Sequence, residues 1–166
     1  MRRMSIALLA FWLWAPAAAA ATEVDVQLCL ASDGSGSIQQ DEFVFQRQGF
    51  AAAIASEEVR DAILSGLNKR IAIGYMEWGG ADSMHPIVDW TLIDSQAAAE
   101  EFGARLIAAP RKATGWNSIS EAIAFCQVWM ENNGFESARK VIDVSGDAGN
   151  RGGRPLAANR AATLAA

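Results

Sequence analysis

Histidine occurs once in this 166-residue chain, cysteine twice, and basic side chains are outnumbered by acidic ones, 14 to 19. With a single imidazole, and no cysteine spacing of the zinc-site kind, a His/Cys metal centre is excluded. A serine nucleophile needs a base, and the lone His85 stands beside Pro86 in a loop ahead of a short strand, where it reads as a surface residue. There is no G-x-x-x-x-G-K run and no basic residue near Asp33, which removes a Walker-type phosphoryl-transfer site. The acidic balance argues against a nucleic-acid or anionic-membrane surface. Internal repeats and low-complexity linkers are also missing beyond the first segment, so one domain with one core is expected.

That first segment has the composition of a secretory signal peptide over residues 1–21. Arg2 and Arg3 give a positive start, Ser5 to Trp14 an apolar middle, and Pro16 to Ala21 a small-residue end with Ala19-x-Ala21 suited to cleavage before Thr22. Pro16 and the alanine run make a weak spanning helix, so no stable membrane insertion is expected after cleavage. The product is a periplasmic or secreted domain over residues 22–166. Loss of two arginines and no acids moves its formal charge from −5 to −7.

Along that domain, apolar strand-like runs alternate with helical ones. Val24–Ala31, Arg70–Trp78, Val88–Ile93 and Lys140–Val144 read as strands, the third as an edge and the last as short and buried. Asp41–Ser56, Glu57–Leu67, Ser95–Ala108, Ser118–Asn132 and Ala157–Ala166 read as helices. Ser37 is a plausible N-cap for the first, and Val59, Ile63, Leu64 and Leu67 share a face of the second, which ends near Gly66. The alternation indicates an α/β fold, a mostly parallel sheet with helices on both faces in three α/β/α layers. In such sheets ligands sit beyond the carboxyl ends of the strands, where the loops 33–37, 114–118 and 145–150 of this chain would meet.

The first of those loops carries the chemistry. Asp33-Gly34-Ser35-Gly36-Ser37 places an oxygen-bearing side chain at every second position, so in an extended loop one carboxylate and two hydroxyls converge. Hard oxygen donors without thiolate or imidazole suit Mg2+, Mn2+ or Ca2+. Asp, Ser and Gly also build ordinary turns. The other loops supply Asn117 and Asp147.

Other residues carry competing readings. Cys29 lies in a strand and Cys126 in a helical run, and both read more simply as small buried residues than as a bridge. Asp143, inside an apolar strand, needs a partner or a shifted pKa if buried, and supports the loop rather than binding metal. Glu77 ends a strand on the same edge of the sheet, and Trp78, Trp90 and Trp116 either rim the site or pack in the core.

Asp33-Gly34-Ser35-Gly36-Ser37 resembles the D-x-S-x-S signature of the metal-ion-dependent adhesion site (MIDAS) of von Willebrand factor type A (vWA) domains. YMEWGG at 75–80, VDWTLID at 88–94 and VIDVSGDAGN at 141–150 are similar to a group of exported bacterial vWA-like proteins of unknown function. The resemblance implies a doubly wound, Rossmann-like fold and a divalent cation, Mg2+ or else Mn2+ or Ca2+, held by Asp33, Ser35, Ser37, Asn117 and Asp147. Asn117 stands where the family usually has a threonine, and it offers a carbonyl oxygen, with Ser118 or Thr114 as substitutes. The resemblance also implies one more strand and a closing helix than the chain has, so the domain is expected to be C-terminally short with an exposed sheet edge.

The function implied is cation-dependent protein binding, in which a partner's acidic residue fills an open metal position. No catalytic residues are expected. The alternatives are a metal-independent interaction domain with a degenerate site and, further off, a metal-dependent hydrolase using Asp33 and Asp147.

Overall fold

The computed structural model describes residues 20–166, so the leader read at residues 1–21 lies almost wholly outside the described residues. Elements follow one another as β1 (Thr22–Glu23), β2 (Gln27–Asp33), α1 (Gln40–Ile54), α2 (Glu57–Leu64), β3 (Ile71–Trp78), β4 (Met84–Ile93), α3 (Gln96–Ala108), α4 (Ile119–Glu131), β5 (Phe135–Glu136), β6 (Lys140–Ser145) and α5 (Leu156–Ala165). The main sheet has the order β4-β3-β2-β6. β2 runs parallel to both β3 and β6, and β4 pairs antiparallel to β3. β1 and β5 form a small parallel pair that the sequence does not signal.

β3 is buried at all eight positions because it is covered on both faces. On one face Leu30, Ile71, Ile73 and Tyr75 meet Ile54 of α1, Ile63 of α2, and Ala99, Phe102 and Leu106 of α3. On the other, Cys29, Ala31, Met76 and Trp78 meet Ala122, Cys126 and Met130 of α4. The period-2 alternation of β2 and β3 thus feeds two cores from one run of residues. Gly74 belongs to the second face for a steric reason: a Cβ there would lie 2.8 Å from the Trp129 ring.

Several expectations are corrected. Cys29 and Cys126 form a disulfide, with Cα atoms 6.1 Å apart, because α4 lies directly over β2. β6 is an edge rather than a buried strand: Val141, Ile142 and Val144 are half-buried, and Asp143 is exposed to solvent rather than supporting the loop. The first helix is capped by Gln39, whose backbone N–H donates to the Glu42 carboxylate at 2.9 Å, so Ser37 is not the cap and its hydroxyl is free for the loop. α2 stops at Leu64, and Leu67 lies outside it, 93% exposed. His85 belongs to β4, half-buried, and shares a 3.1 Å hydrogen bond with the Ser83 hydroxyl. No helix among the described residues is long and apolar enough to cross a membrane.

Candidate metal centre

β2, β3 and β6 end on the same side of the sheet, and their loops are strapped together there. The Gly34 N–H donates to the Trp78 carbonyl at 2.9 Å, which continues the β2–β3 pairing into the D-x-S-x-S loop. The Gly36 N–H donates to the Gly115 carbonyl at 3.1 Å, joining that loop to 114–118. The Gly80 N–H bonds the Thr114 carbonyl and the Ser118 N–H bonds the Gly79 carbonyl, each at 2.8 Å. Gly79 permits this approach, since a Cβ there would stand 2.1 Å from the Thr114 oxygen. The third loop joins through the Arg151 N–H, 2.7 Å from the Asn117 carbonyl.

Within this frame, Asp33 uses one carboxylate oxygen locally and leaves the other open. Oδ1 accepts the Ser35 N–H at 2.8 Å. Oδ2 is buried without a hydrogen-bond partner, and the space beside it belongs to the third loop: a Cβ on Gly146 would lie 3.1 Å away. The Ser35 and Ser37 hydroxyls are 3.0 Å apart, and Ser37 Oγ lies 3.5 Å from Asp147 Oδ1, a distance at the limit of hydrogen bonding. Asp33, Ser35, Ser37 and Asp147 are therefore brought together. Asn117 is buried in the adjoining loop, 2% exposed, with its Nδ2 unpartnered.

The two possible substitutes for Asn117 are placed differently. The Ser118 hydroxyl is committed to the Gly152 carbonyl at 3.0 Å, whereas Thr114 is exposed and held by its backbone. Trp78 is core, its indole N–H donating to the Ala31 carbonyl at 3.0 Å, and Trp90 packs against Trp129 with the rings tilted by 56° and centroids 5.2 Å apart. Of the three tryptophans only Trp116, 74% exposed on the 114–118 loop, stands at the rim.

The site is acidic and, among the described residues, holds no basic side chain as counter-charge. Burial pushes the Asp33 carboxyl above its ordinary range and the negative charge of Asp147 adds to this, against the Ser35 hydrogen bonds and, least of all, a weak contact from the Asp147 backbone N–H. No ion pair from Lys or Arg relieves Asp33 among the described residues. Nor do three His, Cys, Asp or Glu side chains gather there, so the donor set is two carboxylates with hydroxyls and an amide. That chemistry fits a hard divalent ion, which can neutralise Asp33 and Asp147 together and satisfy the orphaned Oδ2.

Not legible in the sequence was the support beneath the loop. Glu77 is fully buried and pairs with Arg47 of α1 at 2.7 Å. Arg47 and Arg111 both lie over the Phe43 ring, at 4.4 and 4.8 Å from its centroid. The available signal was Arg47 itself, four residues after Phe43 on the helix face that also carries Ala51 and Ile54.

The strand order and the helices on both faces of the sheet give a vWA-like fold. Proximal thread matrix protein 1 from the mussel byssus superposes with a TM-score of 0.63 at 15% identity, over 89% of this chain and 37% of that one. A second structure of that protein, with a zinc-occupied MIDAS motif, gives 0.64 at 16% identity with the same coverage. The vWF domain of the type V pili tip protein Mfa5 from Porphyromonas gingivalis matches 72% of this chain and 36% of that one at 13% identity, with a TM-score of 0.44. The chain thus spans little more than a third of these proteins. A search of curated proteins gives no match. The chain belongs to the family described as "Protein of unknown function (DUF1194)", whose sequence profile matches residues 23–166.

Proposed function

We propose that this vWA-type domain is a divalent-cation-dependent protein-binding module of an exported protein. Asp33, Ser35, Ser37, Asn117 and Asp147 hold the ion, Mg2+ or alternatively Mn2+ or Ca2+, and the ion supplies a positive point on which an acidic side chain of a partner protein docks. The observation that carries this reading is the buried, unpartnered Oδ2 of Asp33 beside the Asp147 loop. Leaving such an oxygen unmatched is costly, and a cation removes the cost. The exposed Trp116 beside the site gives a partner apolar surface to cover, which suits recognition. The Cys29–Cys126 bridge supports export, since disulfides persist in oxidising compartments, and residues 1–21 have the composition of the leader that would direct it.

Binding rather than catalysis is the role assigned to the ion. His85 is tied to Ser83, and the Ser83 hydroxyl also accepts the Thr114 N–H at 3.0 Å, so that pair braces a loop. The test is water-proton relaxation with Mn2+. Bound Mn2+ with an exchangeable position gives enhanced relaxation, and a capped Gly-Asp-Gly peptide lowers the enhancement while its Gly-Asn-Gly counterpart does not. Absence of any enhancement, or equal effects of the two peptides, contradicts the reading.

A further inference from the structure

We infer that Arg111 is a positioning residue for the D-x-S-x-S loop, setting the loop conformation in which Asp33, Ser35 and Ser37 converge; its link to a cation rests on the function proposed above. One guanidinium nitrogen of Arg111, Nη2, donates to three carbonyls of the loop, those of Gly34 at 3.0 Å, Ser35 at 2.7 Å and Ile38 at 2.9 Å. Two of these carbonyls lie inside the signature and the third follows it directly. A segment with two glycines has many backbone conformations available, and one charged nitrogen gathering three of its carbonyls selects one of them.

Arg111 is itself held rigidly. Its guanidinium lies over the Phe43 ring of α1, the helix that follows the loop. The chain just before it is fixed by Arg47, which donates to the carbonyls of Leu106, Ala109 and Pro110 while paired with the buried Glu77. Glu77 also lies under the loop: a Cβ on Gly34 would stand 3.5 Å from the Glu77 Cβ and 2.8 Å from that of Ala113. A continuous support, Glu77–Arg47–Phe43–Arg111, thus runs from the central strand to the backbone of the loop. Arg111 touches none of the proposed ligand side chains, so it acts through the loop carbonyls alone.

The experiment compares the parent with Arg111→Met and Arg111→Lys in two readouts, both taken well below the melting transition. Cation-free hydrogen exchange reads the loop directly: Arg111→Met speeds exchange at the Gly36 and Ile38 amides by about tenfold or more, with β2 and β3 amides unchanged. Mn2+ titration reads the consequence, a dissociation constant weakened by roughly 10- to 100-fold, the usual effect of removing a group that orients metal ligands. Arg111→Lys, which keeps the charge but not the planar group that lies over Phe43, falls between, and it decides the matter if Arg111→Met does not fold. A purely structural role would lower the melting temperature and leave loop exchange and Mn2+ affinity at parent values; that result overturns the inference. If the parent binds no Mn2+, the proposed function falls, and loop exchange alone still decides the role of Arg111.

Discussion

Opening the Cys29–Cys126 bridge removes a covalent tie across a sequence separation of 97 residues. In the chain-entropy account, closing a loop of that length lowers the entropy of the unfolded chain enough to stabilise the fold by about 4.7 kcal/mol at room temperature. Typical domains are stable by only about 5–15 kcal/mol, so roughly three-tenths or more of the stability is at stake. Both cysteines are fully buried between β2 and α4, and replacing both with alanine adds little cavity beyond the lost sulfurs. For a domain of this size the melting temperature falls by about 10–19 °C. The assay is denaturant unfolding of the oxidised protein, the reduced protein and the Cys29→Ala/Cys126→Ala variant, with a thiol count on the denatured oxidised chain. Coincident midpoints for all three, or two free thiols in the oxidised sample, would refute the argument.

Glu77→Gln leaves the buried Arg47 guanidinium, 4% exposed, without its counter-charge, and denaturant unfolding should show a loss of about 3–5 kcal/mol; a loss below about 1 kcal/mol would place the pair among ordinary surface ion pairs. Replacing both partners, Arg47→Met with Glu77→Met, recovers most of that loss, since a matched apolar pair leaves no buried charge. The Asp33 carboxyl has its pKa raised by burial and by Asp147, so the folded state binds its proton more tightly than the unfolded chain. Its ionisation therefore costs stability, a penalty that grows as pH rises from the ordinary carboxylate value of 3.8 through the raised folded value and persists above it. Without cation, Asp33→Asn accordingly melts at or above the parent at neutral pH and the gap closes in acid, as thermal melts across pH will show. A variant less stable than the parent at neutral pH, in chelator, counts against this electrostatic reading.

How far the sequence reaches is seen at particular residues. The run ending in Asp33-Gly34-Ser35-Gly36-Ser37 announced both a strand and its loop, because composition changes abruptly from β-forming to small and polar. The helix read over Ser95–Ala108 is α3, Gln96–Ala108, with the Ser95 hydroxyl accepting the Ala98 N–H at 3.3 Å. Features that depend on strand order were out of reach. Whether Lys140–Ser145 is central or at an edge depends on what lies beyond it, and apolar content alone suggested burial. The partnership of Cys29 with Cys126, and of Glu77 with Arg47, is set by helices crossing strands far away in sequence. Ser37 and Gln39 are both near the start of α1, and the capping contact from Glu42, three residues after Gln39, decides between them. The three carbonyls on Arg111 could not be foreseen, since backbone acceptors leave no mark in the sequence.

The central claim is that Asp33 and its neighbours hold a divalent cation, and calorimetric titration of Mg2+ and Mn2+ into the oxidised protein tests it most directly. Asp33→Ala serves as control, with circular dichroism verifying that both proteins are folded. Saturable binding to one site in the parent, absent from the variant, is the predicted result. A folded parent that takes up neither ion at millimolar concentration, or a variant that binds as well as the parent, would contradict it and leave a metal-independent interaction domain in its place.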